Sequence, residues 1–426
     1  GGAVVLVSVI LMWLQKKEST GPKFKGAQAP DKPSSASWGF CRRAMVLVIV
    51  TQAAAWALFL TWSPAVTLEQ FPDTPNTPVP PIVVMNEHLI QLETGTTLHV
   101  TTAGTLHDDL AATHTVIRPH KDVVLLLHGF PETGLGTWRH QLPFLEKHGF
   151  YALAPDLKGY NTSSKGAGPS ENNMAAATED LVALLDYLDV QQANVIGHDW
   201  GGGIAWHLAM TYPDRVKRLA VLNCPHPAAF AQVAQSNPGQ ILKSWYMFLF
   251  QLPTLPEWRA SKDRFAWLIN FGFGTAAPGV YSQADLEAYR EAWGQPGSLT
   301  AMMDYYRDAI RNIADPEREA HTRTRVQVPT LIVWGDKDHY LDPMLAHASA
   351  AWCDAGRVAV VSGASHWLPN ERPAEVNAHL RRFLLAPAGD LVERLINLEI
   401  LLANSLNIKT PKLFQSPESS QGGATA

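Results

Sequence analysis

The sequence predicts an α/β protein in which a mostly parallel central sheet carries helices on both faces and an inserted helical cap interrupts the fold. Three observations carry that expectation. Short apolar runs alternate with helical patterns from His88 to Leu222, the alternation stops from Ala228 to about Ala320, and it resumes at Thr330. Strands that alternate with helices imply a parallel sheet buried on both faces.

Composition bounds the reading. With 426 residues, 46% of them hydrophobic and 17% charged, the chain is globular material for one large domain plus additions. A formal net charge of -5 without a long basic run excludes a nucleic-acid partner, because phosphate binding needs clustered Lys and Arg. The cysteines Cys41, Cys224 and Cys353 are odd in number and far apart, which fits neither a disulfide framework nor a metal site. No metal or cofactor is implied.

Within an N-terminal segment over residues 1–62, Ala44 to Trp62 is 19 residues without a charge, the length of a membrane anchor. Residues 15–43 carry seven Lys or Arg against two acids, whereas residues 63–93 carry four acids and no Lys or Arg. By the positive-inside rule the body then faces the lumen or exterior, in the endoplasmic reticulum or secretory pathway. The shorter apolar run Ala3 to Leu14 has no assigned role. Pro64, Pro72, Pro75, Pro78, Pro80 and Pro81 make residues 63–84 an extended stalk.

The core is expected over residues 85–227 and 321–388. Its first strands fall at Leu89–Leu92, Leu98–Thr101, Val123–Leu127, Ala152–Ala154, Asn194–Ile196 and Leu219–Leu222, with helices at Ala175–Tyr187 and Gly202–Met210. The cap, residues 228–320, is rich in aromatics, among them Trp245, Phe248, Phe250, Trp258, Trp267, Phe271 and Phe273. Strand and helix patterns return at Thr330–Trp334, Val358–Val361 and Ala374–Leu385. Residues 389–426 hold a further helix at 391–402 and a polar tail that reads as disorder.

The chemistry centres on Gly197-His198-Asp199-Trp200-Gly201, which has the Gly-x-nucleophile-x-Gly form of a strand-to-helix elbow. Glycines permit the tight turn that lifts the central side chain above the sheet. Such elbows order their partners as nucleophile, acid, histidine. Here Asp336 and Asp338 follow a late strand in "LIVWGDKDHYLDP", and His366 stands in "SGASHWLPNERP". Spacing alone does not choose between the two aspartates. "HGFPE" at His128–Glu132 follows a strand and supplies backbone N–H groups beside the elbow, with Phe130 and Trp200 as the expected oxyanion donors.

An aspartate at this position changes the reaction class. A carboxylate is a weak nucleophile toward a carbonyl but can displace a leaving group from saturated carbon, forming an ester that water must hydrolyse. His366, oriented by its acid, is the candidate base for that water. An epoxide oxygen as leaving group needs a general acid still protonated at neutral pH, a role suited to Tyr, whose ordinary pKa is ~10.

These motifs, with "YMFLFQLPTLPE" and "QPGSLTAMMDYYRD", resemble the epoxide hydrolases of the α/β-hydrolase superfamily, most closely the small membrane-anchored animal-type members, from about His88 to Leu385. The resemblance implies Asp199 as nucleophile, His366 as base, Asp338 as the acid, and Phe130 at the oxyanion hole. It also implies Tyr246 and Tyr306 as the cap tyrosines that activate the epoxide oxygen, Tyr306 being favoured over Tyr305 by the arginine that follows. Trp245, Phe250 and Trp367 are then expected among the residues of a lipophilic substrate tunnel. The implied partners are a small lipophilic epoxide and water.

Two departures stand out. Gly134 occupies a position where members usually carry tryptophan, with one extra residue before "TWRHQ", and "LKGYNTSS" introduces a sequon at Asn161-Thr162-Ser163 that a lumenal protein would expose to glycosylation. A haloalkane dehalogenase shares the Asp nucleophile and the following tryptophan but commonly has Asn where Phe130 stands. A non-catalytic ligand receptor on the same fold is the second alternative, and the full set of acids, histidine and tyrosines argues against it.

Overall fold

The computed structural model describes residues 85–103, 122–313 and 315–386. The expected anchor at 44–62, the stalk at 63–84 and the C-terminal segment at 389–426 lie outside the described residues. No helix among the described residues is long and apolar enough to cross a membrane.

Eight strands form one sheet: β1 (Met85–Gln91), β2 (Thr97–Ala103), β3 (Val123–Leu127), β4 (Tyr151–Pro155), β5 (Ala193–His198), β6 (Val216–Leu222), β7 (Thr330–Gly335) and β8 (Gly356–Val361). Their spatial order is β1-β2-β4-β3-β5-β6-β7-β8. β1, β2 and β4 pair antiparallel, and every pairing from β4 through β3 to β8 is parallel. Strands β3, β4, β5 and β7 are buried at every residue, which is why they read as continuous apolar runs rather than alternating ones. Each fully buried Val or Leu of these strands contributes ~1.5–3 kcal/mol relative to exposure.

The covering helices of the first half are α1 (Gly134–Trp138), α2 (Gln141–Lys147), α3 (Met174–Tyr187) and α4 (Trp200–Thr211). Asn173 starts α3 by accepting a hydrogen bond from the Ala176 N–H at 3.0 Å, satisfying one of the donors that a helix start leaves open. Between β6 and β7 come α5 (Pro227–Ser236), α6 (Pro238–Lys243), α7 (Trp245–Leu249), α8 (Leu255–Ser261), α9 (Ala266–Phe273), α10 (Gln283–Trp293), α11 (Ser298–Arg311) and α12 (Pro316–Thr322). These helices form the inserted cap and its return to the sheet. α13 (Met344–Ala350), α14 (Leu368–Glu371) and α15 (Pro373–Leu385) complete the second half. The chain divides into two units after Leu380, and the described part of the second unit is residues 381–386.

Register brings the chemistry to one edge. Leu127 lies opposite Gly197, His198 opposite Leu222, and Leu222 opposite Val333. The loops after β3, β5, β6 and β7 therefore leave the sheet side by side at its carboxyl edge, where open α/β sheets bind ligands.

Both departures in the sequence have a physical account. Gly134 opens α1 against β4: its N–H donates to Asp156 Oδ1 at 2.7 Å, and a Cβ there would lie 2.5 Å from the Ala154 carbonyl oxygen. A tryptophan has no room at that position. Asn161 of the sequon donates its side-chain amide to Asp156 Oδ2 at 2.7 Å, and Ser163 is buried, so a glycan on Asn161 would break a contact to a buried carboxylate.

The elbow depends on close packing of α4 against β3. A Cβ on Gly201 would lie 2.2 Å from the Leu127 carbonyl oxygen and 2.5 Å from that of His128, both backbone atoms. Gly201→Ala is expected to lose at least ~2 kcal/mol of stability, read as a lower urea midpoint at unchanged slope.

Candidate active site

Asp199 sits between β5 and α4 with φ 50° and ψ -123°, a conformation that a side chain other than glycine seldom adopts. Strain of this kind costs ~1–3 kcal/mol and persists where surrounding structure enforces it. It aims the carboxylate out of the turn, over the edge of the sheet. Oδ1 accepts the Phe130 N–H at 2.8 Å, and Oδ2 lies 3.4 Å from His366 Nε2. Trp200 is the first residue of α4, whose N-terminal N–H groups lack intrahelical partners.

The other ring nitrogen of His366 meets an acid. Nδ1 lies 2.7 Å from Asp338 Oδ2, and both side chains are buried. Asp338 is itself held by three donors: the Tyr340 N–H (2.8 Å) and Leu341 N–H (3.0 Å) at Oδ1, and the Asn223 amide (2.5 Å) at Oδ2. Asp336 turns elsewhere, accepting the Gly363 N–H at 2.7 Å. The choice that spacing left open between the two aspartates is thus geometric, and Asp338 is the one that reaches His366.

Electrostatics couples the three groups. Burial disfavours the charged form of His366, but the Asp338 charge, the hydrogen bonds to Asp199 and Asp338, and the Asp199 charge outweigh it and raise the imidazole to about 10. Burial likewise opposes ionisation of Asp199, and the hydrogen bond and charge of His366, with the His198 charge and the Phe130 N–H, hold the carboxyl below its ordinary value. The same balance holds Asp338 below its ordinary value, burial being offset first by the His366 charge.

A cleft opens over these groups, lined by Phe130, Asp199, Tyr246, Phe271, Gly272, Tyr306, Tyr340, His366 and Trp367. Tyr246 comes from α7 and Tyr306 from α11, their ring centres 5.7 Å apart. Gln251 ties the two helices together, donating to the Met247 carbonyl at 2.9 Å and the Tyr306 carbonyl at 3.0 Å. Successive helical residues point about 100° apart. Tyr305 accordingly leaves the cleft and donates its hydroxyl to the Lys158 carbonyl at 2.9 Å. Burial first, then the Asp199 charge, keeps the Tyr246 and Tyr306 phenols well above their ordinary pKa.

Of the residues expected in the tunnel, Trp367 lines the cleft. Trp245 and Phe250 stand behind the wall: Phe250 is fully buried, 5.4 Å from Phe130 and 4.9 Å from Tyr306 between ring centres, and Trp245 packs on Tyr246 and Phe271. Helical direction, which composition does not report, decides which aromatics face inward. Gly272, Tyr340 and Asn223 also belong to the site with no signal in the sequence, and Phe271 is marked there only as one cap aromatic among several. Tyr340 follows Asp338 by two residues, but nothing in "GDKDHYLDP" marks it as facing the cleft.

A second buried pair lies beneath the first. His198 contacts Glu132 Oε2 at 2.9 Å through Nδ1 and the His366 carbonyl at 2.8 Å through Nε2. The motif residues on either side of the elbow thereby hold the loop that carries His366. Glu371 adds a support, accepting the Ser365 N–H at 2.6 Å and the Ser365 hydroxyl at 2.7 Å.

Residues 122–373 match the model of the alpha/beta hydrolase fold family. An AB hydrolase superfamily protein of Bacillus subtilis, YfhM, is 36% identical over 68% of this chain and 95% of its own length. Epoxide hydrolase 2 of Caenorhabditis elegans is 34% identical over 62% of this chain and 74% of its own length. Among solved structures, an epoxide hydrolase of Bacillus megaterium in complex with an inhibitor superposes with a TM-score of 0.59 at 27% identity, covering 70% of this chain and 100% of its own. The chain belongs to the alpha/beta hydrolase superfamily and, within it, to the epoxide hydrolase family.

If Asp338 is the main charge raising His366, Asp338→Asn lowers the imidazole pKa from about 10 while Asp336→Asn leaves it in place, as read by NMR titration of the ring. A raised folded-state pKa contributes stability that is fully present below the ordinary value of 6.5 and lost as pH rises through about 10. Asp338→Asn is expected to flatten that decline in urea titrations across the same range.

Proposed function

We propose that this chain hydrolyses an epoxide to a vicinal diol through an alkyl ester on Asp199. One observation carries the reading: a half-buried carboxylate faces, across one small cleft, two phenols whose burial and negative neighbour keep them protonated at neutral pH. Membership in the epoxide hydrolase family supports it.

In the proposed reaction an Asp199 oxygen attacks a ring carbon and forms a C–O bond. The ring C–O bond breaks with its electron pair on oxygen, which takes a proton from Tyr246 or Tyr306. Esterification removes the Asp199 charge and its hydrogen bond to His366, two of the influences that raise the imidazole. With its pKa lowered, the imidazolium gives its proton to the phenolate left by ring opening, and neutral His366 is then free to act as a base at the step that needs one. It takes a proton from water as hydroxide adds to the ester carbon, and the Phe130 N–H lies on the oxygen that becomes the oxyanion. Collapse expels the diol oxygen, which takes its proton from His366. The regenerated Asp199 carboxylic acid ionises, and its proton returns to His366, restoring the resting state.

His366→Ala is expected to cut turnover ~10³-fold or more and to accumulate an adduct on the Asp199 peptide equal in mass to the epoxide. In a single turnover of wild type in ¹⁸O water the diol should carry unlabelled oxygen from Asp199. Label entering the diol directly, with no adduct in the variant, would sink the covalent route. Tyr246→Phe and Tyr306→Phe should each slow ester formation, and the double variant should lose ~10²-fold or more.

We also propose, from the uncharged run at 44–62 between a basic and an acidic flank, that the catalytic body is membrane-tethered on the lumenal or exterior side. Protection from added protease in sealed microsomes, lost on detergent, is the expected outcome.

A further inference from the structure

The two oxygens of Asp199 are not equivalent. Oδ1 is engaged by the Phe130 N–H at 2.8 Å, whereas Oδ2 lies a longer 3.4 Å from His366 Nε2. The less firmly held oxygen makes the new bond more readily, so attack leaves from Oδ2. The carbon under attack then lies beside His366.

That side of the cleft is walled by Tyr340. Its ring stands edge-on to His366 at 5.3 Å between centres, and it also packs on Tyr246 and Phe271, each at 5.9 Å. Trp367 continues the wall, edge-on to His366 at 5.1 Å. Both rings are pinned to the cap: the Tyr340 hydroxyl donates to the Phe271 carbonyl, and Trp367 Nε1 donates to Thr275 Oγ1 at 3.0 Å. The Tyr340 backbone is held by its N–H on Asp338. With both ends tied, the ring cannot swing aside without breaking a contact to the cap.

We propose that Tyr340 is a specificity-determining residue that denies room to a substituent on the carbon attacked by Asp199, so that terminal epoxides, opened at their unsubstituted carbon, are the favoured substrate class. The inference rests on the reading of the site as an epoxide hydrolase. In the step concerned, Oδ2 bonds to the ring CH₂, the bond from that carbon to the ring oxygen breaks, and the oxygen takes the phenol proton. The substituted carbon points away from His366 and keeps its bond to oxygen.

Two isomers isolate the effect, because 1,2-epoxyoctane and cis-4,5-epoxyoctane have the same atoms and differ only in where the ring sits. Wild-type full chain is expected to show a kcat/KM ~10-fold or more higher for the terminal isomer. Steady-state turnover in ¹⁸O water should place the label at C1 of its diol. Tyr340→Ala should raise kcat/KM for the internal isomer and narrow the preference toward unity, whereas Tyr340→Phe, which loses the hydroxyl tie but keeps the ring packed on His366, Tyr246 and Phe271, should retain the larger part of it. Tyr340→Leu serves in place of the alanine variant if that protein does not melt cooperatively. Equal wild-type use of both isomers, label at C2, or an unchanged preference in a folded Tyr340→Ala or Tyr340→Leu would overturn this inference alone. Failure of wild type to open either isomer or styrene oxide would overturn the reading of the site and this inference with it.

Discussion

Asp338, His366 and Asp199 form one hydrogen-bonded line of alternating charge, and most of what surrounds it exists to make that line tolerable in a buried place. Each group taken alone would neutralise on burial, since removing an unpaired ion from water costs several kcal/mol. Together each charge offsets its neighbour's penalty, and the remaining oxygen acceptors are covered by N–H donors from Phe130, Tyr340 and Leu341 and by the Asn223 amide. Removing any partner leaves a buried charge uncompensated. The line is therefore an interdependent unit rather than a sum of three contacts.

The sheet supplies the register for that line, and the cap supplies its dielectric. Donors at the carboxyl edge come from loops after β3, β6 and β7, which only parallel pairing brings side by side. The cap then lays Phe271, Tyr246 and Tyr306 over the carboxylate, narrowing its exposure to water to a small cleft. Interactions at reduced dielectric are stronger than in water. The charge that raises the cap phenols is the same Asp199 carboxylate they face, so the proposed acid and nucleophile tune each other across the cleft.

Much of this was legible in the sequence for a physical reason. Fully buried parallel strands are apolar along most of their length, so β3, β5 and β7 announce themselves, and a strand-to-helix turn as tight as that at Asp199 requires glycines at fixed offsets. What was not legible depends on direction. Asp336 and Asp338 share a turn and a chemistry, and only the hydrogen bond from Gly363 reveals that Asp336 points away. Trp245, Phe250 and Phe271 are all cap aromatics, yet helix rotation puts Phe271 on the cleft and the other two behind it. Asn223, at φ 43° after β6, joins the line only because β6 and β7 are neighbours, a long-range fact that no local pattern carries.

On the proposed reaction, the Phe130 N–H serves two states of the same oxygen. At rest it helps keep Asp199 ionised, and after ester formation it faces the carbonyl oxygen on which charge develops during hydrolysis. His366 changes role in the opposite sense. While Asp199 is a carboxylate the imidazole is held charged and unable to act as a base, and the loss of that charge on esterification releases it. No loop needs to move for this alternation, because the reaction itself supplies the change in field. A rigid aromatic wall fixed at both core and cap is compatible with such a mechanism, since the switch is electrostatic and confined to one bond of one side chain.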